Sequence, residues 1–199
     1  MSSYLVVGFD DANANTDVMA IVTYDHVQKR VSVLQIPRDT YYCFGGVQNK
    51  LNQLYPYTLG SSQNQKDKKR AMRALTDAIS DFLGIEIDGY IGVSIDAFAR
   101  VIDRVGGISI ILPQGISFRD SDSGEQIELS QGEHLLDGKT ATQFVRYRIG
   151  YPRGDLDRID AQKIFISALL HKFGECFGIR MLTTVFGEFY QSMVTDITF

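Results

Sequence analysis

Three short apolar runs open the chain and constrain its fold more than any other feature. Tyr4–Phe9 and Val18–Tyr24 are continuous, and Val31–Ile36 alternates apolar with polar residues. Short runs and period-two alternation of this kind mark strands. The polar stretch Asp25–Arg30 predicts a hairpin between the second and third runs, and Asp10–Asp17, rich in Asp and Asn, predicts a loop between the first and second. The period then changes. Met72, Leu75, Ile79, Phe82 and Leu83 recur at spacings of three and four, and Gly84 follows as a helix stop, so Asp67–Leu83 reads as a helix with those residues inward. Tyr90–Ile95 reads as a strand, Asp96–Val105 as a helix and Ile108–Leu112 as a strand, a succession that suggests a crossover unit. Gln126–Leu129 reads as a short edge strand. Further helices are expected from Asp137 or Gly138 to about Val145, from Asp155 to about Phe173 with Ile159, Ile166, Leu169, Leu170 and Phe173 inward, and over Gly178–Phe189, with a last strand at Val194–Phe199. Thr40–Gln65, punctuated by Gly45, Gly46, Pro56 and Gly60, reads as irregular with one short helix, and His134 reads as the start of a turn. Strands and helices interleaved in this way predict an α/β layered domain.

Composition narrows the function classes. The 199 residues carry 44% apolar and 22% charged side chains, the balance of one globular domain spanning 1–199. A net charge of −4 disfavours nucleic acid as a partner. No apolar run approaches a membrane span. The chain begins almost directly on a strand, so a soluble piece of a longer, anchored protein is expected. Cys43 and Cys176 are too few for a disulfide framework; free thiols are the preferred reading, with a single bridge left open if the two meet in the fold.

Three elements carry chemistry. Arg146, Arg148, Arg153 and Arg158 crowd into FVRYRIGYPRGDLDRID. Guanidinium groups are permanently charged and fork onto phosphate oxygens, so several that converge suit a pyrophosphate. Asp155, Asp157 and Asp160 lie among them, and a solvated loop of ion pairs is the competing reading. Arg146 and Arg148 share a face only where the chain is extended, since in a helix they point about 200° apart; a helix that ends near Val145 is required. Second, Ile36-Pro37-Arg38-Asp39-Thr40 closes a predicted strand, and sites gather at strand ends of α/β sheets. Third, Asp10 ends the first strand and Asp17 begins the second. Two carboxylates beside phosphates form the protein half of many Mg²⁺ sites, although Asp and Asn also favour turns. P-loop, dinucleotide and nucleophile-elbow patterns are absent from the sequence.

These elements, in this order, resemble the LytR-CpsA-Psr (LCP) family. The likeness runs through Tyr4-Leu5-Val6-Val7-Gly8-Phe9-Asp10, Thr16-Asp17-Val18-Met19, Val33-Leu34-Gln35-Ile36-Pro37-Arg38-Asp39-Thr40, and Lys50-Leu51-Asn52 with Tyr55. It continues through Leu83-Gly84-Ile85-Glu86-Ile87-Asp88-Gly89-Tyr90, Val105-Gly106-Gly107-Ile108, Leu136-Asp137-Gly138-Lys139-Thr140-Ala141, Val145-Arg146-Tyr147-Arg148 and Gly154-Asp155-Leu156-Asp157-Arg158. The resemblance implies a three-layer α/β/α domain whose central mixed sheet encloses an apolar pocket for a polyprenyl chain. It implies a phosphotransferase that moves an anionic glycopolymer from a polyprenyl-pyrophosphate carrier onto peptidoglycan, on the extracytoplasmic face of a bacterial membrane, behind an N-terminal anchor. It assigns Arg38, Arg146, Arg148 and Arg158 to the pyrophosphate, Asp10 and Asp17 to Mg²⁺ or Mn²⁺, and Asp39 to orienting Arg38, the preferred role, or to accepting the attacking proton.

Two positions depart from the pattern. Asn15 and Ala161 stand where the family often carries arginine. They keep open an alternative in which the domain binds a polyprenyl phosphate or pyrophosphate, or hydrolyses it, without ligase turnover. A role in transcription is opposed by the acidic charge and the absence of a helix-turn-helix pattern.

Overall fold

The opening runs form a sheet led by antiparallel hairpins. The computed structural model describes residues 1–9, 16–62, 64–119, 124, 126–146, 155–176 and 190–197; the side chains of residues 17, 47, 118–119, 155–159, 173–176 and 191 lie outside the description. The described elements are β1 (Ser2–Phe9), β2 (Thr16–Asp25), β3 (Arg30–Ile36), β4 (Tyr41–Phe44), β5 (Val47–Lys50), a 3-10 turn (Leu51–Gln53), α1 (Leu54–Leu59), α2 (Gln65–Leu83), β6 (Gly89–Ser94) and α3 (Ile95–Arg104). They continue with β7 (Ile108–Leu112), β8 (Ile116–Arg119), β9 (Gln126–Leu129), β10 (Gly132–Leu136), α4 (Gly138–Arg146), α5 (Asp155–Cys176), a second 3-10 turn (Tyr190–Ser192) and β11 (Met193–Thr195). The chain divides into two compact units. Met1–Ala97 with Tyr190–Phe199 forms the first, and Phe98–Phe189 forms the second.

In the first unit five strands lie in the order β11-β6-β1-β2-β3. β1 and β6 are parallel and the other neighbours antiparallel, so the sheet is mixed and the fold is α/β. Alternation decides which side chains face inward. Leu5 and Val7 of β1 and Met19 and Ile21 of β2 are buried against Met72, Leu75 and Ile79 of α2 in one apolar cluster. α2 starts cleanly because Asn64 accepts the N–H of Asp67, and it stops at Gly84, whose left-handed backbone (φ 65°) returns its N–H to Ser80 O. Phe82, expected inward from its spacing, is 51% exposed at the end of α2; its ring meets Tyr42 edge-on at 6.4 Å instead. At the other end of the unit, Asp196 Oδ1 accepts Tyr90 N at 2.9 Å, and Thr195 Oγ1 donates to Tyr90 O at 2.7 Å.

In the second unit β7 pairs with β10 and β8 with β9, both antiparallel. Phe165 of α5 is buried, with Phe98 at 5.7 Å and Phe144 at 6.4 Å between ring centroids. The inward residues expected for α5 omit Phe165, while Ile166, Leu169 and Leu170 are half-buried and Ile159 and Phe173 fall outside the described side chains.

Other differences have local causes. The segment expected to be irregular holds the β4–β5 hairpin, whose two-residue turn at Gly45 and Gly46 needs positive φ at both positions (63° and 77°). His134 sits within β10, opposite Ile110, instead of starting a turn. The crossover expected at β6, α3 and β7 fails because β7 takes β10 as its described partner; the parallel pair is β1 and β6. The final strand covers Met193–Thr195, and the helix expected at Gly178–Phe189 lies outside the described residues. Cys43 is an exposed free thiol. Among the described residues no helix is long and apolar enough to cross a membrane.

Candidate functional site

The sheet delivers Arg38 and Asp39 at the end of β3. Ile36 is buried and pairs with Met19 on β2, and Pro37, which has no N–H to give, ends the ladder. Thr40 N then donates to Pro37 O at 3.0 Å, closing a turn with Arg38 and Asp39 at its two central positions. The Thr40 hydroxyl donates to the same carbonyl at 2.5 Å. The β4–β5 hairpin brings the chain back to this turn. Leu51 N donates to Thr40 O at 2.8 Å and Asn52 N to Arg38 O at 3.3 Å, so the turn is sewn to the segment that follows β5. This return places Lys50 Nζ 3.0 Å from Asp39 Oδ1, while Arg38 Nε is 4.0 Å from the same oxygen. Two cations and one carboxylate are thus gathered by main-chain hydrogen bonds, a net positive cluster suited to an anion.

Beside it, the β1–β2 ladder is irregular. Gly8 pairs with Val18 and Phe9 with Thr16, so Asp17 is an extra residue with no partner on β1. This is a β-bulge, a device that re-aims side chains and is common beside functional sites. Thr16 is fully buried, and its hydroxyl donates to Asn52 O at 3.3 Å. Asp10 and the Asp17 side chain lie outside the description. Among the described residues no group of three or more His, Cys, Asp or Glu side chains could hold a metal.

In the second unit α4 ends on Arg146, which is half-buried. The helix thus runs one residue past Val145, and Arg148 lies outside the described residues. Gln162 of α5, only 3% exposed, donates through Nε2 to Val145 O at 2.8 Å. It satisfies one of the carbonyls that a helix end leaves open and ties α5 to the turn carrying Arg146. Arg158 precedes Gln162 by four positions on α5, the spacing that puts two positions on one helix face, though its side chain is not described. Ala161 is buried.

Of the expected site residues, the structure joins Arg38 and Asp39, gives Arg146 the last position of α4, and makes Asp17 a bulge. Asp10, Arg148 and the side chain of Arg158 fall outside the description. The expected set omits Lys50, Asn52 and Gln162. The signal was present, since Lys50 and Asn52 stand in the Lys-Leu-Asn segment and Gln162 follows Ala161, but spacing alone does not show that a hairpin folds back onto Asp39.

The model of the LytR_cpsA_psr family matches residues 2–199. The chain is similar to the polyisoprenyl-teichoic acid–peptidoglycan teichoic acid transferase TagV of Bacillus subtilis, 29% identical over 205 residues that cover 98% of this chain and 49% of TagV. It is also similar to the cell wall biosynthesis protein LcpA of Corynebacterium glutamicum, 30% identical over 178 residues that cover 82% of this chain and 34% of LcpA. The crystal structure of B. subtilis TagV superposes with a TM-score of 0.77 at 27% identity, over 99% of this chain and 74% of that one. The chain spans about half the length of TagV and a third of LcpA.

Proposed function

The chain belongs to the LytR-CpsA-Psr family, and on that premise we propose that it is a phosphotransferase that moves an anionic glycopolymer from a polyprenyl-pyrophosphate carrier onto peptidoglycan. The reaction class is the one in the name of TagV. What supports it best in the fold is the turn at the end of β3, where Arg38, Asp39 and Lys50 are gathered by main-chain bonds from two segments.

In this reading the whole chain works as one catalytic domain on the extracytoplasmic face of the cell membrane. The polyprenyl chain occupies an apolar pocket of a three-layer α/β/α fold. A hydroxyl of the peptidoglycan attacks the phosphorus next to the glycan and gives its proton to the departing phosphate or to solvent, the bond from that phosphorus to polyprenyl phosphate breaks, and polyprenyl phosphate leaves. Phosphoryl transfer asks little covalent chemistry of a protein, and positioning and charge neutralisation supply most of the rate. Arg38, Arg146, Arg148 and Arg158 hold the pyrophosphate and neutralise it. Asp39 bridges Lys50 and Arg38 and keeps both cations in place.

Asp10 and Asp17 are the residues for Mg²⁺ or Mn²⁺. Their donor chemistry suits a hard divalent cation, and what supports the pairing is that Asp17 is the bulge residue next to the partner of Phe9, the residue that Asp10 follows in the sequence. Such an ion, when bound, neutralises phosphate oxygens. One observation favours the reading without turnover: position 161 is alanine, so this chain has no guanidinium where the family often places one.

The test is to incubate the protein with a polyprenyl-pyrophosphate-linked glycan, with and without Mg²⁺ and with peptidoglycan acceptor. Transfer that needs Mg²⁺ and is lost in Arg146→Ala is the expected result. Tight lipid binding with no transfer reduces the protein to a lipid-binding domain, and no binding at all sinks both readings.

A further inference from the structure

Asn52 stands where three segments of the first unit meet. It lies in the 3-10 turn after β5. Its main chain is used in both directions: the N–H donates to Arg38 O, and the carbonyl accepts the hydroxyl of Thr16. The first bond holds it to the turn carrying Arg38 and Asp39. The second holds it to the residue before the bulge at Asp17. The side chain is different. Asn52 is 9% exposed, and its Oδ1 is buried with no hydrogen-bond partner among the described residues.

Buried polar atoms are nearly always paired, and one left unpaired costs stability. The fold alone does not account for this one. Both main-chain bonds would survive in leucine, which has a similar volume and no polar atom to desolvate. An amide oxygen accepts and cannot donate. It therefore takes an O–H, an N–H or a cation, and it opposes a bare phosphate oxygen. Its neighbour Thr16 adjoins Asp17, to which the proposed function assigns the cation, and its neighbour Arg38 is one of the residues assigned to the pyrophosphate. The pyrophosphate diester offers only acceptors. The donor must then come with the cation's water shell or with the incoming sugar.

Resting on the proposed function, we infer that Asn52 is a further binding residue of that site. Its carboxamide oxygen accepts a hydrogen bond from an O–H group that arrives with the ligands, either a water of the divalent cation or the attacking hydroxyl.

The experiment compares the full chain with Asn52→Leu. It reads the thermal midpoint without ligand, the affinity for Mn²⁺ alone by its spin-resonance signal, and the KM for peptidoglycan acceptor in the transfer assay. The midpoint should hold or rise, because an unpaired buried atom has gone. One ligand readout should weaken by about tenfold, the loss expected for one hydrogen bond. A weaker Mn²⁺ affinity assigns the oxygen to the cation, directly or through its water; an unchanged affinity with a raised KM assigns it to the hydroxyl. If Asn52→Leu does not fold, Asn52→Ala removes the same oxygen without adding bulk, and its two ligand readouts are read in the same way. A folded variant with both readouts unchanged overturns the inference and leaves the proposed function standing. A wild-type chain that binds neither Mn²⁺ nor the lipid pyrophosphate overturns both.

Discussion

Lys50 Nζ lies 3.0 Å from Asp39 Oδ1, a full ångström closer than Arg38 Nε comes to the same oxygen. Both members of the closer pair are more than half exposed, so water screens their attraction and the pair contributes about 1 kcal/mol or less to stability. Its position beside Arg38 gives it a different importance. Lys50→Ala should lower the thermal midpoint by no more than about 2–4 °C. Transfer should fall by about tenfold or more, since one cation of the positive cluster beside Arg38 is lost. Calorimetry and the transfer assay on one preparation check the two halves separately. A large fall in midpoint with activity lost in proportion would make Lys50 a structural residue.

Arg38→Ala and Arg146→Ala should each reduce transfer by about 10²–10³-fold, the cost of removing one preorganised donor from a developing charge. The main-chain bond from Asn52 N to Arg38 O does not depend on the arginine side chain, so the turn should persist. An unfolding midpoint within a few degrees of wild type is therefore expected. Strong destabilisation in either variant would reassign that arginine to a structural ion pair.

Gly138 opens α4 under close constraint. Its N–H donates to Asp103 Oδ1 at 2.7 Å, and a β-carbon placed on it would collide with the carbonyl of Ala99. That obstacle is main chain and cannot swing aside. Gly138→Ala should destabilise the second unit by about 1–3 kcal/mol. Denaturant unfolding checks this, and a variant as stable as wild type would mean that α3 and α4 shift apart freely.

Tyr55 is 3% exposed, with the ring of Phe9 at 4.5 Å. Burial, with a smaller push from Tyr90, raises its hydroxyl to about 12. The neutral phenol is therefore the form the fold prefers. Its contribution to stability is intact below the ordinary tyrosine value of 10 and is lost as pH rises from there through about 12. A phenolate absorbance titration should show a late step that disappears in Tyr55→Phe. Burial also raises Tyr90, so the variant is needed to assign the step.

How much of this was legible before folding differs from segment to segment. β1 and β2 follow from short apolar runs whose Leu5, Val7, Met19 and Ile21 are buried, and β3 follows from its alternation although only Ile36 of it is buried. β10 was hidden because Gly132–Leu136 buries only its last residue and presents Leu135 outward at 68% exposure. The β4–β5 hairpin was hidden because glycines that end one element also make a tight turn between two strands. Arg38 and Asp39 were legible from the proline that follows a strand. Lys50 was not, since its place beside Asp39 depends on where a hairpin returns. The unpaired oxygen of Asn52 is a property of three-dimensional packing, and no spacing in the chain encodes it.

The first unit takes residues from both ends of the chain, Met1–Ala97 and Tyr190–Phe199, with the second unit written between them. β11 joins the open edge of β6, and Asp196 holds both Tyr90 N and, at 3.8 Å, the guanidinium of Arg73. Synthesis runs from the N-terminus, and domains tend to fold as they emerge. The unit that starts first is thus completed last: the whole second unit must leave the ribosome before the edge of β6 finds its partner. Until then that edge offers unpaired main-chain groups to any passing strand. The interval between translating Ser94 and Thr195 is the period in which a nascent copy is most exposed to mispairing, and shortening the inserted unit would shorten it.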